Sequence, residues 1–198
     1  MDHPAPTHSW ADKPRALIER LSAGDSVLLL DTDTRVCGKI RDVFALLDSF
    51  ELAAAHAPVR FGPGQPASLT SRAPKPFPEL NTGVMAYRRT RGITELFERW
   101  WSLHLETLRP GRPGAVGDQA TFRIALYEST VRFTVLPPEF NCRFTIPTYV
   151  HGPVRILHGR APDLERVERE INASTGARVF VPGLGVMRAS GPDQEPRA

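Results

Sequence analysis

The sequence contains little cysteine and has neither a long apolar run nor an apolar leader. Its 198 residues include two cysteines, Cys37 and Cys142, which are too few for a disulfide framework and match no zinc-binding spacing. No stretch approaches the roughly 18 apolar residues of a transmembrane helix, and residues 1–13 lack the apolar segment of a signal peptide. We therefore expect a cytoplasmic protein without a transmembrane segment.

Lysine is also scarce, and the positive charge is nearly balanced by the negative charge. The net charge is +3 and the pI about 9.2, and lysine occurs only at Lys13, Lys39 and Lys75. So small an excess, without a stripe of aromatic and basic residues, argues against a nucleic-acid partner. Arginine supplies most of the positive charge, and it suits both a solvated surface and phosphate recognition.

Short apolar runs alternate with helical patterns along the chain. Strands are predicted at 27–30, 51–55, 83–87, 131–136 and 154–157, and helices at 13–22, 39–50, 94–108, 118–128 and 163–174. This alternation indicates an α/β domain with a mainly parallel sheet flanked by helices. We expect one domain over 1–185, a long loop over 57–80 and a flexible tail over 186–198. Trp100 and Trp101 lie on an amphipathic helix and are expected in the core.

Two aspartates directly follow the first predicted strand. Asp31 and Asp33 stand two residues apart after an apolar run over 27–30, so both carboxylates can point to the same side of the chain. Parallel sheets bind ligands at the carboxyl ends of their strands. Carboxylate oxygens suit Mg²⁺ or Mn²⁺, with water and substrate phosphates completing the coordination. The pair is therefore a candidate metal site, or an ordinary pair of surface aspartates.

Further polar residues lie at other predicted strand and helix ends. Asn81 and Gly83 come at the start of the third strand, where an amide could bind a sugar hydroxyl and glycine allows close approach, or where the chain simply turns. Asp118 and Gln119 open a helix. Asp118 is either its N-cap or an acceptor for a sugar hydroxyl, with Gln119 alongside the reacting carbon. These four residues are candidates for sugar contacts.

The last predicted strand ends at a histidine. His158 is followed by Gly159 and Arg160, and Asn141 lies in an earlier loop that follows the strand over 131–136. A lone histidine can be purely structural. If the imidazole of His158 joins the two aspartates, the mixed nitrogen and oxygen ligands favour Mn²⁺ over Mg²⁺. Arg160 could then face a diphosphate.

These motifs together resemble a known family. In order and spacing, glycogenin-like and lipopolysaccharide galactosyltransferase-like enzymes show the same pattern as Asp31-Thr32-Asp33, Asn81-Thr82-Gly83-Val84-Met85, Asp118-Gln119, Asn141 and His158-Gly159. Those enzymes are retaining glycosyltransferases of the nucleotide-diphospho-sugar transferase superfamily, with the Rossmann-like α/β fold known as GT-A. The resemblance covers roughly residues 13–159.

The resemblance implies a role for each matched residue. Asp31, Asp33 and His158 would bind Mn²⁺ or Mg²⁺, and the metal would bridge the diphosphate of a nucleotide sugar, usually a UDP-sugar. Asp118 and Gln119 would be catalytic residues beside the reacting carbon. The remaining donor contacts would come from Asn81, Gly83, Asn141, Gly159 and Arg160. The acceptor would be a saccharide, a lipid or a protein.

The sequence departs from the family pattern in two places. In the family the His-Gly segment continues into Lys-Pro-Trp, whereas here Arg160, Ala161 and Pro162 follow. Only 30 residues precede Asp31, so we expect much of the N-terminal βαβ portion, which holds the nucleotide base in the family, to be missing. A catalytically silent remnant or binding module of the same fold is therefore an alternative hypothesis.

A phosphatase is the second alternative. The segment from Asp31 to Arg35 is similar to the signature of haloacid-dehalogenase-type phosphatases, Asp-x-Asp-x-Thr/Val. In this sequence Thr34 lies one residue before the Thr/Val position of that signature, and Arg35 occupies the Thr/Val position itself. The later acidic pair that completes that metal site is missing, because no adjacent aspartates occur downstream. The glycosyltransferase hypothesis therefore ranks above the hydrolase.

Overall fold

The computed structural model describes residues 13–20, 26–57, 71–107 and 118–188. Its α-helices are α1 (Lys13–Arg20), α2 (Asp42–Ala45), α3 (Arg91–Thr107), α4 (Asp118–Glu128) and α5 (Leu164–Ile171). Its strands are β1 (Ser26–Leu30), β2 (Thr34–Val36), β3 (Leu52–His56), β4 (Leu80–Arg88), β5 (Phe133–Leu136), β6 (Thr148–His151), β7 (Ile156–His158), β8 (Ala177–Val181) and β9 (Gly185–Arg188). Within the described residues, no helix combines the length and the apolar character that crossing a membrane requires.

The chain divides into two compact units. Unit 1 is Met1–Leu29 with Val43–Val135, and unit 2 is Leu30–Asp42 with Leu136–Ala198. Each unit has its own cluster of buried apolar side chains. The sequence predicts a single domain over residues 1–185, and the two clusters show where that range subdivides.

Unit 1 is built on a four-stranded sheet with the strand order β1-β4-β3-β5. β3 and β4 pair antiparallel, with Leu52 opposite Tyr87, and both strands are almost entirely buried. α4 packs on β4 and on α3, and α1 packs on α3. The continuous apolar character of β3 is typical of a strand covered on both faces.

A row of aromatic rings forms the centre of the unit 1 core. Tyr87, Phe97, Trp100 and Phe122 contact one another edge to face, with centroid distances of 5.0, 6.0 and 4.8 Å along the row. The indole Nε1 of Trp100 donates to the carbonyl oxygen of Asp118 at 2.9 Å, so the core fixes the start of α4. Trp100 is buried as predicted, whereas Trp101 is only partly buried.

Unit 2 contains two smaller sheets around its own core. β2 pairs antiparallel with β7, and β6, β8 and β9 form a three-stranded antiparallel sheet. The buried guanidinium of Arg178 donates to the carbonyl oxygens of Ile171, Gly176 and Gly152 at 2.7, 2.9 and 2.9 Å. These bonds satisfy a charged group that burial would otherwise penalise, and they tie the end of α5 to the sheet.

The strand pairings differ from the predicted, mainly parallel sheet. The pairings β3–β4, β2–β7, β6–β8 and β8–β9 are all antiparallel, although an isolated parallel bridge joins Cys142 to Leu157. Antiparallel strands need only a turn between them, whereas parallel strands need a crossover. The helices and strands along the chain agree with the predicted α/β class, but the predicted parallel arrangement is wrong for these four pairs.

Several element boundaries also differ from the prediction. The helix expected over 39–50 is reduced to α2 and a 3-10 turn over Leu46–Asp48. Helix α4 spans its predicted residues, whereas the four strands β2, β6, β8 and β9 are not predicted. Part of the predicted tail over 186–198 belongs to β9, which ends at Arg188, and the remainder lies outside the described residues.

The two cysteines of unit 2 give a first testable prediction. Burial raises the pKa of Cys142 to about 12 and that of Cys37 to about 11, from an ordinary value of 9.0. Because the thiolate is the nucleophile, we expect iodoacetamide to alkylate both thiols at pH 7.5 at least ~100-fold more slowly in the native protein than in urea. Mass spectrometry after timed quenching measures both rates. Native and unfolded rates that agree would contradict the burial of the thiols.

Candidate metal centre

A tight turn joins β1 to β2 and carries both aspartates. The backbone N–H and the hydroxyl of Thr34 both donate to the carbonyl oxygen of Asp31, at 3.0 and 2.7 Å. The backbone N–H of Gly159 donates to the carbonyl oxygen of Asp33 at 2.9 Å. Hydrogen bonds to the backbone carbonyl oxygens of Asp31 and Asp33 therefore fix the turn that carries the two carboxylates.

The imidazole of His158 lies beside this turn. His158 is the last residue of β7 and stands opposite Thr34 of β2 in the antiparallel register. Its Nε2 lies 3.4 Å from Oδ1 of Asp33. One ligand atom from each of Asp31, Asp33 and His158 can be chosen so that all three lie within 4.8 Å of one another. We call these three residues the candidate metal centre.

The candidate metal centre fits a divalent cation. With ligands about 2.1 Å from a metal in octahedral geometry, neighbouring donor atoms lie about 3.0 Å apart and opposite ones about 4.2 Å. The observed separations, 3.4 Å for one pair and at most 4.8 Å for all, need only a small contraction. Two carboxylates balance a 2+ charge, and one imidazole nitrogen among oxygen ligands suits Mn²⁺.

One side of the candidate metal centre is open to solvent. The side chain of Asp33 is 29% exposed, whereas that of His158 is 4% exposed. The imidazole of His158 is therefore shielded from solvent, whereas a ligand can approach the carboxylate of Asp33 from solvent. A bound metal would keep coordination positions there for water or for the oxygens of a substrate.

Asn141 lies on the other side of the imidazole. Its Oδ1 is 2.7 Å from Nδ1 of His158, and both side chains are buried. Its Nδ2 is also buried and has no hydrogen-bond partner among the described residues. The family resemblance implies that Asn141 contacts the nucleotide-sugar donor. The structure places Asn141 against a candidate metal ligand, a position that no sequence pattern identified, and its contact with a substrate stays a prediction.

Gly159 holds a conformation that favours glycine. Its φ is +137°, and a Cβ at this position would lie 2.8 Å from Cγ2 of Thr145 and 3.2 Å from the ring of Phe144. Any other residue would strain the backbone and push these neighbours away. The predicted contacts of Gly159 and of the exposed Arg160 with a substrate stay predictions.

A β-bulge in β4 shapes a second group of predicted residues, in unit 1. Ala54 pairs with Met85, but the next residue of β3, Ala55, pairs with Asn81. The three residues between Asn81 and Met85 are therefore extra on β4, and a bulge of this kind redirects side chains. Asn81 and Gly83 thus lie inside the strand, and the turn that the sequence also allowed is wrong.

Asn81 and Gln119 form an amide pair beside this bulge. The backbone N–H of Gly83 donates to Oδ1 of Asn81 at 3.1 Å, and Nδ2 of Asn81 donates to Oε1 of Gln119 at 2.6 Å. Because a backbone N–H can only donate, it orients the Asn81 amide, which in turn orients the Gln119 amide. The amino group of Gln119 is therefore the end of the pair that points away from Asn81.

Asp118 is held by two neighbours. Its Oδ2 accepts a hydrogen bond from the hydroxyl of Thr82 at 2.9 Å and lies 3.3 Å from Nζ of Lys13. The side chains of Lys13 and Asp118 are 17% and 13% exposed, so this ion pair is largely shielded from water. The sequence does not identify Lys13 as a site residue. We call Lys13, Asn81, Thr82, Asp118 and Gln119 the polar cluster of unit 1.

The predicted site residues thus fall into two groups. Asp31, Asp33, Asn141, His158, Gly159 and Arg160 belong to unit 2, and Asn81, Gly83, Asp118 and Gln119 belong to unit 1. Within each group the structure brings together residues that are far apart in sequence. The catalytic and binding roles of these residues stay predictions.

Comparison with known proteins finds similarity only to solved structures. No family model matches the chain, and no curated protein matches it. A glycosyltransferase involved in the glycosylation of the major capsid of PBCV-1 is 16% identical, with a TM-score of 0.49, over 87% of this chain and 81% of that one. Mouse xyloside xylosyltransferase 1, in its apo form, is 20% identical, with a TM-score of 0.49, over 76% of this chain and 63% of that one. This chain therefore spans less than two thirds of the mouse structure.

Replacement of Gly159 tests the local geometry of the candidate metal centre. We expect Gly159→Ala to lower the free energy of unfolding by roughly 1–3 kcal/mol through backbone strain alone. Gly176→Ala is the matched control, because a Cβ at Gly176 meets no atom within 4 Å, and its effect should stay within about 1 kcal/mol. Urea unfolding measures both values. Equal effects for the two variants would contradict the described conformation of Gly159.

Proposed function

We propose that the protein is a divalent-metal-dependent glycosyltransferase. It would move a sugar from a nucleotide-diphosphate sugar, with a UDP-sugar as the first candidate, to a saccharide, lipid or protein acceptor. The observation that carries the proposal is the meeting of Asp31, Asp33 and His158 at one solvent-accessible point. This ligand set matches the family resemblance, which names the same three residues.

The candidate metal centre would provide electrostatic stabilisation. Asp31, Asp33 and His158 would hold Mn²⁺ or Mg²⁺ through two carboxylates and one imidazole nitrogen. When bound, the metal supplies Lewis acidity that offsets the charge developing on a departing diphosphate. The buried position of His158 excludes water from one side, and the exposed side of Asp33 leaves room for the diphosphate.

The polar cluster of unit 1 would recognise the donor sugar. The amino group of Gln119 is a hydrogen-bond donor, and the carboxylate of Asp118 is an acceptor, so together they match a sugar that presents both hydroxyl oxygens and hydroxyl hydrogens. Their hydrogen bonds to Asn81 and Thr82 fix these groups before substrate binds. Fixed dipoles of this kind stabilise an oxocarbenium-like transition state. Transfer with retention of configuration is part of the proposal.

Thermal unfolding tests the metal and donor sites together. We expect a UDP-sugar at about 100 times its Kd to stabilise the Mn²⁺-loaded fold by about 2.7 kcal/mol beyond the effect of Mn²⁺ alone, and so to raise Tm by roughly 5–10 °C. The shift should disappear in Asp33→Asn. Asp48→Asn removes the same charge from an exposed residue of unit 1 and should keep the shift. If no nucleotide sugar raises Tm, the proposal is ruled out.

Donor hydrolysis tests the role assigned to Gln119 and separates an enzyme from a silent binding module. Gln119→Glu keeps the oxygen that accepts from Asn81 but removes the amino group. We expect kcat for hydrolysis of the donor to fall roughly 10–100-fold, the cost of about 1.5–3 kcal/mol for one hydrogen bond. Mn²⁺ affinity should not change, because Gln119 is not a proposed ligand. Metal binding without any turnover in the wild type would favour the binding module.

A phosphatase has less structural support. Arg35 occupies the position that Thr or Val takes in the phosphatase signature, and its Nε donates to Oε2 of Glu168 on α5 at 2.7 Å. Its guanidinium therefore forms an ion pair with a helix of unit 2. Turnover of a generic phosphate ester that is lost in Asp31→Asn would be needed to support that activity.

A further inference from the structure

The imidazole of His158 has a defined neighbour at each ring nitrogen. Nδ1 lies 2.7 Å from Oδ1 of Asn141, and Nε2 lies 3.4 Å from Oδ1 of Asp33. The imidazole is 96% buried at its side chain, so water cannot readily replace either neighbour. Both side chains therefore influence which ring nitrogen carries a hydrogen.

A neutral imidazole carries one N–H, and the neighbours determine which nitrogen has it. The carbonyl oxygen of Asn141 can only accept, so it favours the tautomer with the hydrogen on Nδ1. Nε2 then presents a lone pair toward the carboxylate of Asp33. Two electron-rich atoms that face each other at 3.4 Å repel each other unless a cation lies between them. This tautomer therefore prepares the site for a metal.

The opposite tautomer would prevent His158 from binding a metal at the same site. If the amide of Asn141 presented its amino group to Nδ1, the ring hydrogen would move to Nε2 and would be donated to Asp33. The lone pair needed for metal binding would then be lost. The side-chain orientation of Asn141 therefore acts directly on the ability of His158 to bind a metal.

The backbone holds Asn141 and His158 in this relation. The backbone N–H of Cys142 donates to the carbonyl oxygen of Ile156 at 2.9 Å, and that of His158 donates to the carbonyl oxygen of Cys142 at 3.0 Å. These two bonds form the parallel bridge next to both side chains. Asn141 is also buried, at 4% exposure, which leaves its side chain little freedom to turn away.

We propose that Asn141 is a positioning residue of the metal centre, which holds the Nδ1–H tautomer of His158 and directs the Nε2 lone pair at the two aspartates. This positioning role differs from the substrate contact that the family resemblance implies for Asn141. The partner of a metal-binding histidine commonly fixes the tautomer in this way, and its loss commonly weakens metal affinity 10–100-fold. The proposal rests on the proposed function for the presence of a metal, because the Nε2 lone pair faces the carboxylate of Asp33 without repulsion when a cation lies between them.

Nuclear magnetic resonance of the ¹⁵N-histidine-labelled protein loaded with diamagnetic Mg²⁺ tests the tautomer directly. At pH 8, where imidazole in water is neutral, long-range ¹H–¹⁵N correlations distinguish the two ring nitrogens. The spectrum of His158→Gln identifies the His158 signals among those of the six histidines. We expect the wild type to show the hydrogen on Nδ1. A hydrogen on Nε2 in the wild type would overturn the proposal.

Variants of Asn141 connect the tautomer to metal binding. Asn141→Leu removes the acceptor, and we expect the Nε2–H tautomer to gain population and Mn²⁺ affinity, measured by electron paramagnetic resonance, to fall 10–100-fold. Asn141→Asp keeps an acceptor at the same place and should retain the Nδ1–H tautomer. Asn172→Leu is the matched control, because the side chain of Asn172 bonds to the backbone of Val154 in the same unit, and it should leave both measurements unchanged.

The outcomes separate the two proposals. A metal-bound wild type with the Nδ1–H tautomer that neither binds nor hydrolyses any nucleotide sugar would support the positioning by Asn141 and remove the proposed function. Unchanged Mn²⁺ affinity in a folded Asn141→Leu would overturn the positioning role and leave the proposed function standing. If Asn141→Leu does not fold, the wild-type tautomer and the affinity of Asn141→Asp still decide the case.

Discussion

The antiparallel pairing of β2 with β7 is the constraint on which the candidate metal centre depends. It sets Thr34 opposite His158 and extends into the bond from Gly159 N–H to the carbonyl oxygen of Asp33. Residues more than 120 positions apart in the sequence thereby share one point. Neither strand has more than three residues, so the fixed turn at Asp31 and the parallel bridge at Cys142 must support the pairing from both sides.

The two groups of polar residues differ in their chemistry. The candidate metal centre gathers two carboxylates and an electron-rich nitrogen, an arrangement that calls for a cation. In the polar cluster of unit 1 the charge of Asp118 is offset by Lys13, and the remaining members are amides and a hydroxyl. Such a cluster suits neutral hydroxyl groups. The start of α4, where the cluster lies, is also anchored by Trp100, so core packing fixes its geometry.

Local signals in the sequence explain which elements could be predicted. Both ends of helix α4 are predictable because the signals for a helix lie within its own sequence. The Asp31 and Asp33 pair is recognisable because it directly follows an apolar run. β2, β6, β8 and β9 were not predicted, because strands of three to five residues depend on partners that the sequence does not reveal. The contact between Asn141 and His158, like that between Lys13 and Asp118, depends on tertiary pairing and leaves no local signal.

The three-residue length of β7 also bears on how this protein can change in evolution. Side chains alternate between the two faces of a strand, so a shift of one residue in its pairing would exchange the places of Leu157 and His158. The core would receive an imidazole, and the metal centre would receive a leucine. Substitutions in the segment before β7 leave the register intact, whereas single-residue insertions or deletions there would change it. Relatives that keep this site should therefore vary in composition before β7 while conserving the length of the segment between Asn141 and His158.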